Sequence, residues 1–265
     1  GVICSTDIAY ADDGIKAHML DIYRPEDSQE KILPVIINVH GGGLIIGNKE
    51  FNRYFCALLC KKGFLVYSIE YRLIPDCLIY DQIADVFIAM DYIKERLAAD
   101  GGDSSHVYMA GDSGGACLIT YANAIQNNTN IARAANVTPS GLRINALGLI
   151  SGMFYTSRFD KIGLFLPKYL YGRDYKKTPF AKYVNPENRE LLNSLAPVWL
   201  VTSHNDFLRR YTTDFEKALT RAEREHELVV FPKNKKLTHA FSVFEPFLPE
   251  SSAVIDMMVE YLRKF

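Results

Sequence analysis

No long hydrophobic run, no block of like charge and no cysteine pattern marks this sequence. Its apolar stretches fall short of the roughly 20 residues that a membrane-spanning helix needs. No charged-then-apolar stretch opens the chain, so neither a membrane partner nor a secretory leader is expected. A formal net charge of −1 and a pI near 6.7 give no electrostatic case for nucleic acid or an anionic membrane as partner. The five cysteines, Cys4, Cys56, Cys60, Cys77 and Cys117, make neither a CxxC pair nor a zinc-ligand spacing. They are odd in number and scattered over apolar segments, with Cys56 and Cys60 on one helix face. Buried free thiols in a reducing compartment are expected, and with them a cytoplasmic location. Internal repeats and low-complexity segments are also missing.

What is present is a regular alternation. The 265 residues are 48% hydrophobic, enough for one large α/β domain over 1–265. Residues 3–11 and 15–24 read as strands around the turn Asp12-Asp13-Gly14. The run Leu33–Val39 is continuously apolar and β-branched, as a central parallel strand should be. Further strands are predicted at 64–71, 106–110, 142–150, 198–202 and 228–231. Helical spacing covers 51–62, 80–99, the stretch from Gly114 onward, 208–225 and 251–262. Strands alternating with helices imply right-handed crossovers and a mostly parallel central sheet covered on both faces. Residues 154–192, rich in Tyr, Phe, Lys and Pro without a strong period, interrupt the series as a small lid insertion.

Ligands of such a sheet bind beyond the carboxyl ends of its strands, and reactive residues collect there. Gly111-Asp-Ser113-Gly-Gly115 stands where an apolar strand turns into a helix. Glycines on both sides of a serine allow the sharp turn that presents its hydroxyl, so Ser113 is the candidate nucleophile. His204-Asn205-Asp206 follows the strand at 198–202, and His239 lies in the loop after the last strand. His239 is the candidate general base, Asp206 its acid partner. His204 is a mild competitor, and Asp214 would face away from the site. His18, His106 and His226 read as surface or edge residues. His40-Gly41-Gly42-Gly43 follows the strand 33–39; Gly41, Gly42 and Gly114 can offer backbone N–H groups to a developing oxyanion. His40 is expected to shape that loop by hydrogen bonding.

Four blocks together resemble the α/β-hydrolase superfamily, and within it the hormone-sensitive-lipase-like carboxylesterases: His40-Gly-Gly-Gly43, Glu70-Tyr-Arg-Leu-Ile-Pro75, Gly111-Asp-Ser-Gly-Gly115, and Asp206 with Thr238-His239-Ala240-Phe241. The resemblance implies the α/β-hydrolase fold and a serine esterase or deacetylase. It further implies Ser113, Asp206 and His239 as catalytic triad, Gly41, Gly42 and Gly114 as oxyanion hole, and no metal or cofactor. Three features depart from the pattern. Gly114 stands where the family usually has alanine. Phe207-Leu208-Arg209-Arg210 follows Asp206 where another acidic residue is common. Only 39 residues precede His40, too few for N-terminal cap helices, so the lid is expected mainly from 154–192.

The expected reaction is hydrolysis of short-chain acyl esters of small molecules through an acyl-enzyme on Ser113. Tyrosines and cations in 154–192 point to acetylated sugars as one substrate class, with acetyl to butyryl groups preferred. An arylformamidase-type amide hydrolase, or a non-catalytic ligand receptor on the same fold, is the alternative. The sequence sets no oligomeric state.

Overall fold

A computed structural model describes residues 1–28 and 31–265. Eight strands form one sheet in the order β1-β2-β4-β3-β5-β6-β7-β8. They are β1 Val2–Ala9, β2 Met19–Pro25, β3 Leu33–Val39, β4 Leu65–Ile69, β5 Gly102–Asp112, β6 Ala146–Ile150, β7 Val198–Ser203 and β8 His226–Phe231. β1 pairs antiparallel with β2, and β2 with β4. From β4 onward the neighbours are parallel. The predicted strand at 15–24 starts only at Met19, because Ile15–Ala17 form the loop that returns His18 to the core.

Alternation along the strands separates two cores, since successive side chains point to opposite faces. Val35, Ile37 and Val39 face one way, with Leu65, Tyr67, Ile69, Val107 and Met109 beside them. On that side pack α2 (Ile79–Arg96), α3 (Ser113–Asn127) and α8 (Arg209–Arg221). Ile36, Val66, Tyr108 and Trp199 face the other way, against α1 (Arg53–Lys61) and α10 (Pro249–Leu262). Cys56 and Cys60 are buried on one face of α1, and Cys77 and Cys117 are buried too, whereas Cys4 on the edge strand is exposed. Asn127–Asn130 interrupts the long helix as predicted, but a further short helix, α4 (Thr129–Ala135), follows. Its first turn is capped by the Asn128 side chain, which accepts from the N–H groups of Asn130 and Ile131.

Between β6 and β7, residues 154–192 fold into short helices rather than one long one. These include α5 (Lys161–Phe165), α6 (Pro167–Leu170), 3₁₀ turns at Tyr175–Lys177 and Pro179–Tyr183, and α7 (Arg189–Asn193). Tertiary bonds hold them. The Tyr171 hydroxyl meets Tyr121 on α3 at 3.1 Å and Thr156 at 2.8 Å. The Tyr121 hydroxyl donates to the Tyr183 carbonyl. Arg158 stacks over the Tyr155 ring and pairs with Asp214 on α8. A last short helix, α9 (Phe241–Phe244), leads into α10.

His18 is a correction to the sequence reading: it is buried, not a surface residue. Its two ring nitrogens bond the carboxylates of Asp13 at 2.7 Å and Asp85 at 3.0 Å. Asp85, fully buried on α2, also accepts from the Arg72 guanidinium and from the Arg72 N–H. Gln82, one turn away, donates to the carbonyls of Leu44 and Arg72 and so ties 70–75 to the glycine loop. Removing one partner of a buried ionic cluster leaves the others uncompensated, which costs about 3 kcal/mol. Asp85→Ala is therefore expected to lower stability by about that amount in urea unfolding with an unchanged slope, and Asp85→Asn by less. Equal stability of Asp85→Ala and wild type would show that Arg72 and His18 find other partners.

Candidate active site

β5 ends at Asp112 and α3 begins at Ser113 without a loop between them. The turn forces Ser113 to φ = 50°, left-handed backbone that a non-glycine residue holds only under constraint. A side chain at Gly115 would collide with the carbonyl oxygens of Val39 and His40, and one at Gly111 would press on the Val39 carbonyl. The glycines therefore let α3 start directly beneath the end of β3.

The structure brings the three sequence-predicted residues together. His239 Nε2 lies 2.9 Å from Ser113 Oγ, and His239 Nδ1 lies 2.7 Å from Asp206 Oδ1. The Asp206 carboxylate also accepts from the Leu208 N–H at 2.8 Å and from Thr202 Oγ1 at 2.8 Å. Burial is the largest influence on Asp206 and acts against its charge. The bonds from His239 and Leu208 outweigh burial and hold the carboxyl below the usual range. The competitors lie elsewhere: Asp214 pairs with Arg158 and Lys217, and exposed His204 accepts from Arg209. Cys117, one turn along α3, is no rival nucleophile, since burial pushes its thiol up to about 12.

The glycine loop differs from expectation in one atom. The Gly41 N–H donates to Asp112 Oδ1 at 3.0 Å, so it is committed and is not free for an oxyanion. A side chain at Gly41 would also run into Asp112. The N–H groups of Gly42 and Gly43 have no acceptor among the described residues, and Gly114 sits in the first turn of α3, where N–H groups lack helical partners. A Cβ on Gly114 would fall 3.0 Å from the Gly43 nitrogen, so these amides border one space. Gly43 thus carries a free amide that sequence reasoning left out, although it ends the same glycine run.

Other residues fix this loop. Buried His40 bonds the Gly41 carbonyl through Nδ1 and Glu70 through Nε2, and stacks on Tyr71 at 4.4 Å. The Tyr71 hydroxyl donates to the His40 carbonyl. Asn52 donates to Asp112 Oδ1 at 2.9 Å, and burial raises the Asp112 carboxyl. Phe207 packs its ring 4.4 Å from that of His239 while remaining 73% exposed. Beside Gly43, a cavity of about 380 Å³ is lined by Ile45, Met153, Lys161, Ile162, Phe165, Leu166 and Tyr169. Of the aromatics in 154–192, Phe154, Tyr155, Tyr171 and Tyr183 are buried anchors, whereas Phe165 and Tyr169 face this cavity. Spacing could not separate the two groups, because the segment has no regular period.

Such a site can transfer a serine proton to an imidazole and hold a negative oxygen on backbone amides. The depressed Asp206 pKa also sets a pH dependence of stability. The unfolded carboxylate titrates near about 4. Ionised Asp206 therefore adds stability above that pH, and the increment is lost as pH falls through the lower folded value. The stability gap between wild type and Asp206→Asn, measured by urea unfolding, is expected to narrow below about pH 4. A gap that widens there contradicts this reading.

The chain spans less than half the length of the curated relatives it matches. It is 29% identical over 184 residues to a probable isoprenylcysteine alpha-carbonyl methylesterase of Oryza sativa subsp. japonica, covering 65% of this chain and 44% of that protein. It is 31% identical over 122 residues to esterase LipC of Mycobacterium tuberculosis, covering 46% of this chain and 30% of that one. Among solved structures, esterase B from Lactobacillus rhamnosis superposes with a TM-score of 0.92 at 23% identity, over 99% of this chain and 85% of that chain. The family profile for the alpha/beta hydrolase fold matches residues 36–242. That match covers most of the sheet, the serine turn and the loop of His239, and by it the chain belongs to the alpha/beta hydrolase fold family, in its hormone-sensitive-lipase-like branch.

Proposed function

We propose that this protein is a serine carboxylic-ester hydrolase. The observation that carries the reading is the unbroken line from Ser113 Oγ through the His239 ring to Asp206, with bonds of 2.9 and 2.7 Å. In this mechanism His239 Nε2 takes the Ser113 proton as Oγ attacks the ester carbonyl. The carbonyl π electrons move onto oxygen, where the N–H groups of Gly42, Gly43 and Gly114 stabilise them. His239 then protonates the departing alcohol as the C–O bond breaks, leaving an acyl group on Ser113. A water, deprotonated by the same imidazole, attacks the acyl carbon; the bond to Ser113 Oγ breaks, Oγ takes the proton back from His239, and the acid is released. Asp206 holds the imidazole in the tautomer with Nδ1 protonated. Gly41, together with Asp112 and His40, shapes the loop rather than donating to the substrate.

Residues 154–192 act as a lid over this opening, and the single domain 1–265 carries the whole site. The cavity beside Gly43 supports an apolar acyl group. Ile45, Met153, Ile162, Phe165 and Leu166 bring no hydrogen-bond donor, and Lys161 and Tyr169 are its polar contributors. This lining favours a short alkyl group over a sugar, most of whose hydroxyls would find only Lys161 and Tyr169 as partners there. The names of the curated relatives, esterases and methylesterases, agree with an ester substrate.

Each enclosed methylene contributes about 0.8 kcal/mol, so two added to an acetyl group raise kcat/KM by up to about fifteenfold. A p-nitrophenyl ester series is expected to rise from acetyl to butyryl and to fall for decanoyl. Phe165→Ala should flatten the rise, and Ser113→Ala should lower turnover by several orders of magnitude on every ester. A wild-type series with no dependence on acyl length would remove the cavity from the account. Near-normal hydrolysis by Ser113→Ala would remove the mechanism.

A further inference from the structure

The near-neutral charge of the whole chain conceals a local excess. Residues 161–177 carry five cations, Lys161, Lys168, Arg173, Lys176 and Lys177, against one carboxylate, Asp174. Only Lys177 pairs with Asp174; the other four have no carboxylate within salt-bridge distance among the described residues. Leu164, Lys168, Arg173, Lys176 and Lys177, with the single carboxylate Asp174, line one notch of about 430 Å³. All four cations of the notch are exposed, and so are Leu164 at 56% and Phe165 at 67%. Lys168 also lies over the Tyr169 ring, its ammonium 4.8 Å from the centroid.

An exposed apolar pair costs free energy in water, and an apolar patch rimmed by charge marks a contact surface. The charge here has one sign, which selects among contacts. Lysine and arginine beside leucine and aromatic rings on short surface helices is the composition of an interfacial segment. In such a segment the apolar groups enter the acyl boundary and the cations meet lipid phosphates. The same two helices, α5 and α6, send Phe165 and Tyr169 into the cavity beside Gly43. A surface seated on this face would therefore lie next to the opening above Ser113.

We propose that the segment Lys161–Lys177 docks the protein on an anionic lipid surface. Leu164 enters the interface, and Lys168, Arg173, Lys176 and Lys177 pair with lipid phosphates. The binding does not depend on ester hydrolysis, and its failure would leave the reaction proposed for Ser113 untouched.

The test is co-sedimentation of the full chain, as Ser113→Ala to prevent turnover, with vesicles of phosphatidylcholine alone or with a third phosphatidylglycerol. At about 0.1 M salt, where the screening length is about 10 Å, binding to the anionic vesicles is expected to exceed that to neutral ones by at least about tenfold, at roughly fivefold per cation engaged. It should collapse at about 0.5 M salt. Lys168→Glu/Lys176→Glu/Lys177→Glu should abolish it, and Leu164→Ser should weaken it several-fold. Both sets of changes, made in the active chain, should leave hydrolysis of a soluble butyryl ester unchanged, which also reports that the variants fold. Should the triple variant not fold, Lys176→Ala/Lys177→Ala serves in its place. No sedimentation of the parent chain, equal binding to neutral and anionic vesicles, or retention of binding by the folded lysine variants would overturn the proposal.

Discussion

Everything at the candidate site depends on two stretches of backbone lying in contact: the end of β3 and the start of α3. Gly115 passes beneath the carbonyls of Val39 and His40, and Gly41 passes against the Asp112 side chain. A methyl group at either place would push the two apart, because the neighbouring atoms are backbone or a buried carboxylate rather than a flexible chain end. Asp112 then locks the approach through one oxygen, which accepts from Gly41 and Asn52. The same bond removes Gly41 from the set of free amides and turns Gly42 and Gly43 toward Gly114. Strain at Ser113 and the narrow space between these amides are two consequences of one close approach.

Around that contact the molecule is layered by purpose. His40, Glu70, Tyr71 and Gln82 fix the glycine loop from behind. Asp206 and the loop of His239 reach in from β7 and β8. Phe207, next to Asp206 in sequence, covers the imidazole. The connection from β6 to β7 contributes the apolar wall and is clamped by Tyr171, Tyr121 and Arg158. The wall can therefore be stiff while its outer surface stays open. Fifteen or so residues of that surface carry a charge opposite in sign to the remainder of the chain.

Much of this was legible in the sequence because the signals are local. Leu33–Val39 reads as a central strand since both of its faces are buried, and its predicted limits coincide with those observed. The turn at Ser113 is announced by its two flanking glycines, a mostly parallel sheet covered on both faces follows from the alternation of elements, and the α/β-hydrolase fold is what the resemblance of the four blocks implies. The rest depends on partners far apart in the chain. His18 looks like an edge residue until Asp85, 67 positions away, turns inward to meet it. The Gly41 amide looks free until Asp112, 71 positions away, accepts its hydrogen bond. In 154–192 the short helices have no amphipathic period because Tyr171 and Tyr183 are held by hydrogen bonds to α3, not by a continuous apolar stripe. Tyr171 and Tyr183 are anchors through those bonds, whereas Phe154 is one by stacking on Phe215 and Tyr155 by its bond to Glu187.

In the reaction proposed above, Ser113 is a nucleophile activated by His239. Mass spectrometry of the intact chain after exposure to a fluorophosphonate tests it most directly. One covalent adduct per chain is expected, on the peptide containing Ser113, formed orders of magnitude more slowly when His239 is replaced by alanine. An unmodified Ser113, or a rate of labelling indifferent to His239, would contradict it.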